Sequence, residues 1–191
     1  MRFLLPILFL VFSLQSSTNA DDIRDFELEG ISLGESALNY FSKSILEKNK
    51  QHDWFNSKKF IPIAELTLIN SITYESFQIA VKNKDQNYKI EMLAGFVFYK
   101  DNIEECYEKI DTIALEIKNL FNNMTVLDKN TFKHSFDKSG KSTITDISLI
   151  DNYDNELSIQ CYDWSEEYTY WDQLRIRISS KEYAEWVRSL Q

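Results

Sequence analysis

The segment from about Asn102 to Asn122 constrains this chain most. Ile103, Cys106, Tyr107, Ile110, Ile113, Ala114, Ile117, Leu120 and Phe121 recur at steps of three and four, the period of a helix with one apolar face. Asp101 predicts an N-cap, and Glu104 and Glu105 suit the positive end of the helix dipole. A stripe of this length needs a broad apolar surface to lie on, and the flanking segments supply one.

Upstream, Phe60 to Leu68 is apolar-rich with Pro62 inside, which suits an edge strand. Tyr74 to Val81 alternates, with Phe77, Ile79 and Val81 on one face. Lys82 to Asn87 reads as a hairpin turn. Tyr88 to Tyr99 follows with Ile90, Met92, Ala94, Phe96 and Phe98 inward, and Leu93 and Val97 on its other face predict a central strand. Downstream, after a polar stretch from Asp128 to Ser142, strands are predicted over Thr143 to Ile150, Glu156 to Trp164 and about Tyr170 to Ser179. Short helices are predicted over Glu35 to Ser42, from Ser44 (where Ser44-Ile45-Leu46-Glu47 fits a capping box) and over Lys181 to Leu190. Runs of hairpin-linked strands imply antiparallel pairing. The expected class is α+β: an antiparallel meander sheet with one long and several short helices packed mainly on one face.

The first twenty residues, MRFLLPILFLVFSLQSSTNA, carry one charge, an apolar run from Leu4 to Leu14 and small residues at Thr18-Asn19-Ala20. That is the pattern of a secretory signal peptide, with an apolar run too short to span a bilayer. No cysteine lies near the cut, so no lipid anchor is expected there. Residues 21–191 are then expected to form one exported domain, periplasmic or secreted, without a membrane anchor. Its net charge, −9 for the whole chain, becomes −10 without Arg2. Such a chain repels phosphate backbones, so nucleic acid is not an expected partner. In an oxidising compartment Cys106 and Cys161 form a possible disulfide; the alternative is two core thiols.

Gly30-Ile31-Ser32-Leu33-Gly34-Glu35 holds two of the four glycines. It lacks the lysine and spacing of a phosphate loop. Its literal Gly-x-Ser-x-Gly match to a nucleophile elbow stands in the wrong architecture, an antiparallel domain rather than a doubly wound hydrolase, and neither His52 nor His134 follows a strand end as the partner should. Ser32 and Glu35 instead fit a capping box, or Gly34 is the N-cap with Leu33 stapled on Leu38, and either way the stretch is expected to start a helix. The wider segment FELEGISLGES resembles the opening of a family of small exported bacterial proteins that begin Phe-Glu-apolar-Glu-Gly-apolar-Ser-apolar-Gly-acidic-Ser. More distantly, it is similar to BamE-type envelope domains, in which a Gly-x-x-x-Gly-x-Ser/Thr segment opens a helix before a meander sheet. Neither resemblance implies a catalytic residue.

No cofactor or metal is expected, since two histidines and two cysteines show no ligand spacing. The oxygen-rich run Asp151 to Glu156 lacks the glycine and alternation of a calcium loop and reads as a solvated turn. Asn123-Met124-Thr125 is a glycosylation sequon, relevant in a eukaryotic host. The functional signal is aromatic: Tyr162, Trp164, Tyr168, Tyr170 and Trp171 crowd one hairpin end. Alternation sends Leu157, Ile159, Cys161, Leu174, Ile176 and Ile178 to the core and leaves Tyr162, Trp164, Trp171, Arg175 and Arg177 on the opposite sheet face. Trp, Tyr and Arg favour binding contacts, so these five are the candidate ligand-binding residues. Cross-strand aromatic pairing is the structural alternative. The expected function is a non-enzymatic binding domain for a protein or small ligand of the cell envelope. The rival is a small hydrolase of envelope polysaccharide or peptide, with Asp163 as its acid–base residue beside a second carboxylate.

Overall fold

Three consecutive strands, β1 (Phe60–Leu66), β2 (Ser76–Lys82) and β3 (Ile90–Tyr99), form one meander, and β6 (Thr143–Ile150), β7 (Glu156–Asp163) and β8 (Asp172–Ser179) form another. The computed structural model describes residues 22–100, 102–121 and 123–190; the expected signal peptide and the N-cap expected at Asp101 lie outside the described residues. The meanders are joined along β3 and β8, which pair antiparallel from Met92↔Ser179 to Tyr99↔Asp172. Short strands β4 (Thr125–Val126) and β5 (Asn130–Lys133) both pair with β6. The result is one eight-stranded antiparallel sheet in the order β1-β2-β3-β8-β7-β6-β4, with β5 beside β6.

This corrects the expected α+β class with helices on one face. The fold is sheet-dominated. Its helices α1 (Lys43–Lys48), α2 (Glu104–Leu120) and α3 (Lys181–Arg188) have six, seventeen and eight residues and lie on both faces. The helix expected over Glu35 to Ser42 is a single 3-10 turn at Ala37–Asn39. Its backbone is already committed to the entry of β3: Gly34 N–H donates to Ile90 O, Ile90 N–H to Glu35 O, and Ala37 N–H to Tyr88 O. A helix from Glu35 would need the Glu35 carbonyl for its own i+4 bond, and Ile90 N–H already takes it. α1 is capped by Ser42, whose Oγ accepts from Ile45 N–H at 3.4 Å, rather than by Ser44.

The main core lies on one face. Cys106, Ile110, Ala114 and Ile117 of α2 pack there with Ile147, Leu149, Leu157, Ile159, Leu174, Ile176 and Ile178, and the N-terminal residues from Ile23 to Leu46 join the same cluster. α2 is pinned to β7 by a disulfide between Cys106 and Cys161, with Cα atoms 5.9 Å apart. α3 covers the other face at the β1–β3 end, where Tyr183 and Trp186 pack on Phe60, Ala80, Met92 and Ala94. The expected inward set of β3 is therefore split. A bulge lets Ala80 pair with Met92 and Val81 with Ile90, skipping Glu91, so Ile90 and Leu93 face the main core while Met92 and Ala94 face α3. Gly95 is required in this strand because an added Cβ would stand 2.6 Å from the Tyr74 ring.

Both sheet margins follow from local chemistry. Pro62 lacks an N–H, and its carbonyl accepts from Gln51 N–H, so residues 49–51 cover the outer edge of β1. At the opposite margin β4 and β5 are exposed throughout, β5 inside the polar stretch from Asp128 to Ser142 and β4 just before it.

Candidate functional site

Period-two alternation explains the second face of β6–β8. Residues between the core positions come into register across strands as Asp146–Gln160–Arg175–Phe96 and Ser148–Ser158–Arg177–Ala94. A polar strip therefore runs along this face, between the α3 cluster and an aromatic cluster.

Arg177 is held firmly in the strip. Its Nη2 bonds to Glu156 Oε1 and to Ser158 Oγ at 2.9 Å, and Arg188 Nη1 reaches Glu156 Oε2 at 2.8 Å. Burial acts to raise the Glu156 pKa, but Arg177, Ser158 and Arg188 outweigh it and hold the carboxyl below its ordinary value. Asp146 is the reverse case. Burial pushes its pKa up despite Gln160, Ser148 and Arg177, and its Oδ1 is buried without a hydrogen-bond partner among the described residues. Arg175 is set apart from both. Its Nη1 donates to Tyr162 Oη at 2.9 Å, and its guanidinium lies 5.6 Å from the Phe96 ring centre and 6.0 Å from that of Tyr162.

The aromatic cluster centres on Trp164. Its ring centre is 4.5 Å from that of His134, 4.9 Å from Tyr170, 5.8 Å from Tyr168 and 6.1 Å from Tyr162. Tyr168 and Tyr170 stack at 6.0 Å, and Phe136 joins through Tyr168 at the same separation. Phe136 and Tyr170 are 60% and 54% exposed, so the cluster presents ring surface to solvent rather than closing on itself. Trp164 Nε1–H is buried without a partner among the described residues. Burial lowers the His134 pKa and nearby Arg175 adds to this, while Asp137 opposes it. The loop carrying Phe136 is fixed by Asp137, whose carboxylate accepts from Ser139 N–H, Ser142 N–H and Ser142 Oγ.

Of the five residues singled out in the sequence, Tyr162, Trp164 and Arg175 lie in one contact chain, and Arg177 lies next along β8. Trp171 is on the margin. It packs on Phe98 at 5.5 Å, with Lys100 Nζ 4.2 Å from its ring centre. His134 and Phe136 escape a sequence reading because the strand leading to them, β5, carries no burial pattern. Asp146 and Gln160 escape it because their importance depends on cross-strand register.

The other candidates have structural employment. Asp163 Oδ2 accepts from Tyr107 Oη at 3.2 Å, tying α2 to β7. Asp172 has its pKa raised by burial and by Asp163, and its Oδ1 accepts from Trp164 N–H at 2.7 Å. Two shallow surface depressions lie elsewhere, one around Gly34, Asp85 and Lys89 and the other between α2 and residues 126–129. Asp151 is occupied by Ile23, Tyr153 and Asn155 N–H groups and the Asn155 side-chain amide. Glu29 and Gly30, at φ +53° and +78°, make the tight turn bridging Leu28 and Ile31. Glu29 then accepts from Ile72 and Thr73 N–H groups, holding the β1–β2 loop. Ser32 N–H donates to Glu35 Oε2 at 3.3 Å, one arm of the expected capping box.

Comparison with protein-family models, with curated proteins and with solved structures found no match.

Proposed function

We propose that the protein is an exported binding domain that takes its ligand on the second face of β6–β8, over Trp164, Tyr170 and Arg175. The observation that carries this reading is the open aromatic cluster beside the polar strip. Six rings converge on one hairpin end, yet Phe136 and Tyr170 remain more than half exposed, and the Nε1–H of Trp164 has no partner among the described residues. Rings recruited only to stabilise the sheet would bury those surfaces. Export is supported by the pattern of residues 1–20, by the likeness of FELEGISLGES to exported bacterial proteins, and by a disulfide, which persists in oxidising compartments. No described helix is long and apolar enough to cross a membrane.

The test is an amide-shift screen of ¹⁵N-labelled protein against amino acids, saccharides and short peptides. Ligands are expected to shift residues 132–136 and 160–177, and the double variant Trp164→Ala, Tyr170→Ala is expected to lose them. Ligands whose shifts map to other surfaces and survive in the double variant would overturn the reading.

A further inference from the structure

We propose that Arg175 anchors a carboxylate on the ligand of this face: an acid with an apolar or aromatic body, either a small aromatic acid or the C-terminal residue of a peptide. The inference rests on the reading of this face as a binding surface and names what it binds.

It follows from how the three arginines of this face are partnered. Arg177 and Arg188 share Glu156. Arg175, two residues before Arg177 on the same strand and face, has no carboxylate within salt-bridge distance among the described residues. It meets a phenol, two ring faces and the Met92 thioether, whose Sδ is 4.0 Å from Nη2, while its Nε–H is buried without an acceptor among the described residues. In a chain with thirty acidic residues and a net charge of −9, a half-buried guanidinium given only neutral partners is a departure from the rule that buried charges are paired. The surroundings also leave the strip net positive: Arg175, Arg177 and Arg188 stand against two acids, Glu156 and Asp146, and Glu156 is shared by Arg177 and Arg188.

A carboxylate satisfies this site in a way a neutral ligand does not, because a guanidinium offers two parallel N–H donors to its two oxygens. One unpaired guanidinium matches one negative charge. The body of such an acid would pass the half-buried Phe96 and Trp164 rings toward Tyr170, which is 54% exposed, with the buried Tyr162 ring beneath.

The probes are phenylacetate against phenylacetamide, and a short peptide ending in phenylalanine as free acid against its C-terminal amide, titrated into the full domain by NMR. The acids are expected to bind at least tenfold tighter than the amides, to shift the Arg175 Nε–H, and to shift amides of residues 160–164 and 173–177. Arg175→Gln is expected to weaken the acids at least tenfold and leave the amides unchanged, with Arg175→Lys in between because it keeps charge without the fork. Tyr162→Phe, which retains the ring, checks that the loss is not a folding defect: it should keep most of the acid preference. Phenylacetate and peptide binding alike would favour a small acid, and peptide alone a chain terminus; either supports the carboxylate. Acids and amides binding equally at these residues would overturn the carboxylate while the binding face stands. Unchanged acid binding by Arg175→Gln would overturn Arg175 as its anchor, and no shift at these residues with millimolar acid would overturn the proposal outright.

Discussion

At Asp146 the cost of burying a charge exceeds what its neighbours return. Burial raises its pKa above the ordinary 3.8, and Gln160, Ser148 and Arg177 only partly oppose this. The folded state therefore keeps a proton that the unfolded chain has released, so stability falls as pH rises through that window. Asp146→Asn preserves an acceptor for Ser148, which donates to Oδ2 at 2.9 Å, and removes the buried charge. The variant is expected to be more stable at pH 7 by about 1 kcal/mol, the scale of single-site effects, and to match the parent near pH 3; thermal unfolding at the two values checks it. Glu156 has the opposite sign. Its carboxyl is held below the ordinary 4.5, so its stabilisation is present above that value and is lost as pH falls through the folded pKa. Glu156→Gln leaves Arg177, at 16% side-chain exposure, without its charge partner. The expected loss is about 3–5 kcal/mol at pH 7, shrinking in acid, and urea denaturation across pH 3–7 measures both.

The three- and four-residue spacing of α2 and the alternation of β2, β7 and β8 were legible because the positions facing the main core are apolar while those between them are mostly small or polar, even in β7, which is buried on both faces. The same alternation placed Tyr162, Trp164, Arg175 and Arg177 on one face. What was not legible depends on partners distant in sequence. β4 and β5 exist only as additions to β6 and bury neither face, so nothing in their residues marks them. The bulge at Glu91 changes which residues of β3 look inward, and no residue there signals it. α3 shows its stripe plainly, but the face it covers is decided by Phe60, Ala80 and Met92 from three other strands. That docking is testable as an element. Trp186 meets Phe60 at 5.1 Å and Phe55 at 4.9 Å, and its Nε1–H donates to Ser57 Oγ at 3.0 Å. Trp186→Ala is expected to cost about 3–5 kcal/mol, with Trp186→Phe milder. In urea denaturation the loss should appear as a lower midpoint, while the shifts of ligands bound near Trp164 stay in place under native conditions.

Across the whole molecule, cohesion depends on two long-range connections. The β3–β8 ladder makes one sheet of two meanders, and the Cys106–Cys161 bond fastens the helix between those meanders to the middle of the second. The ladder is continuous, residues from both meanders share the main apolar cluster, and the second cluster ties the first meander to α3, which follows β8. Unfolding should then be a single transition whether or not the disulfide is present. The bond closes a loop of 55 residues, for which chain entropy sets a stabilisation of about 4 kcal/mol as a ceiling and about 2 kcal/mol as a common floor. At roughly 2–4 °C per kcal/mol for a domain of this size, the double variant Cys106→Ala, Cys161→Ala is expected to melt about 5–15 °C lower. Calorimetry should show one peak in both proteins, with matching calorimetric and van't Hoff enthalpies. A second peak appearing only without the disulfide would mean that α2 and the β6–β8 meander can separate from the rest, and that the covalent tie rather than the β3–β8 ladder makes the molecule one unit.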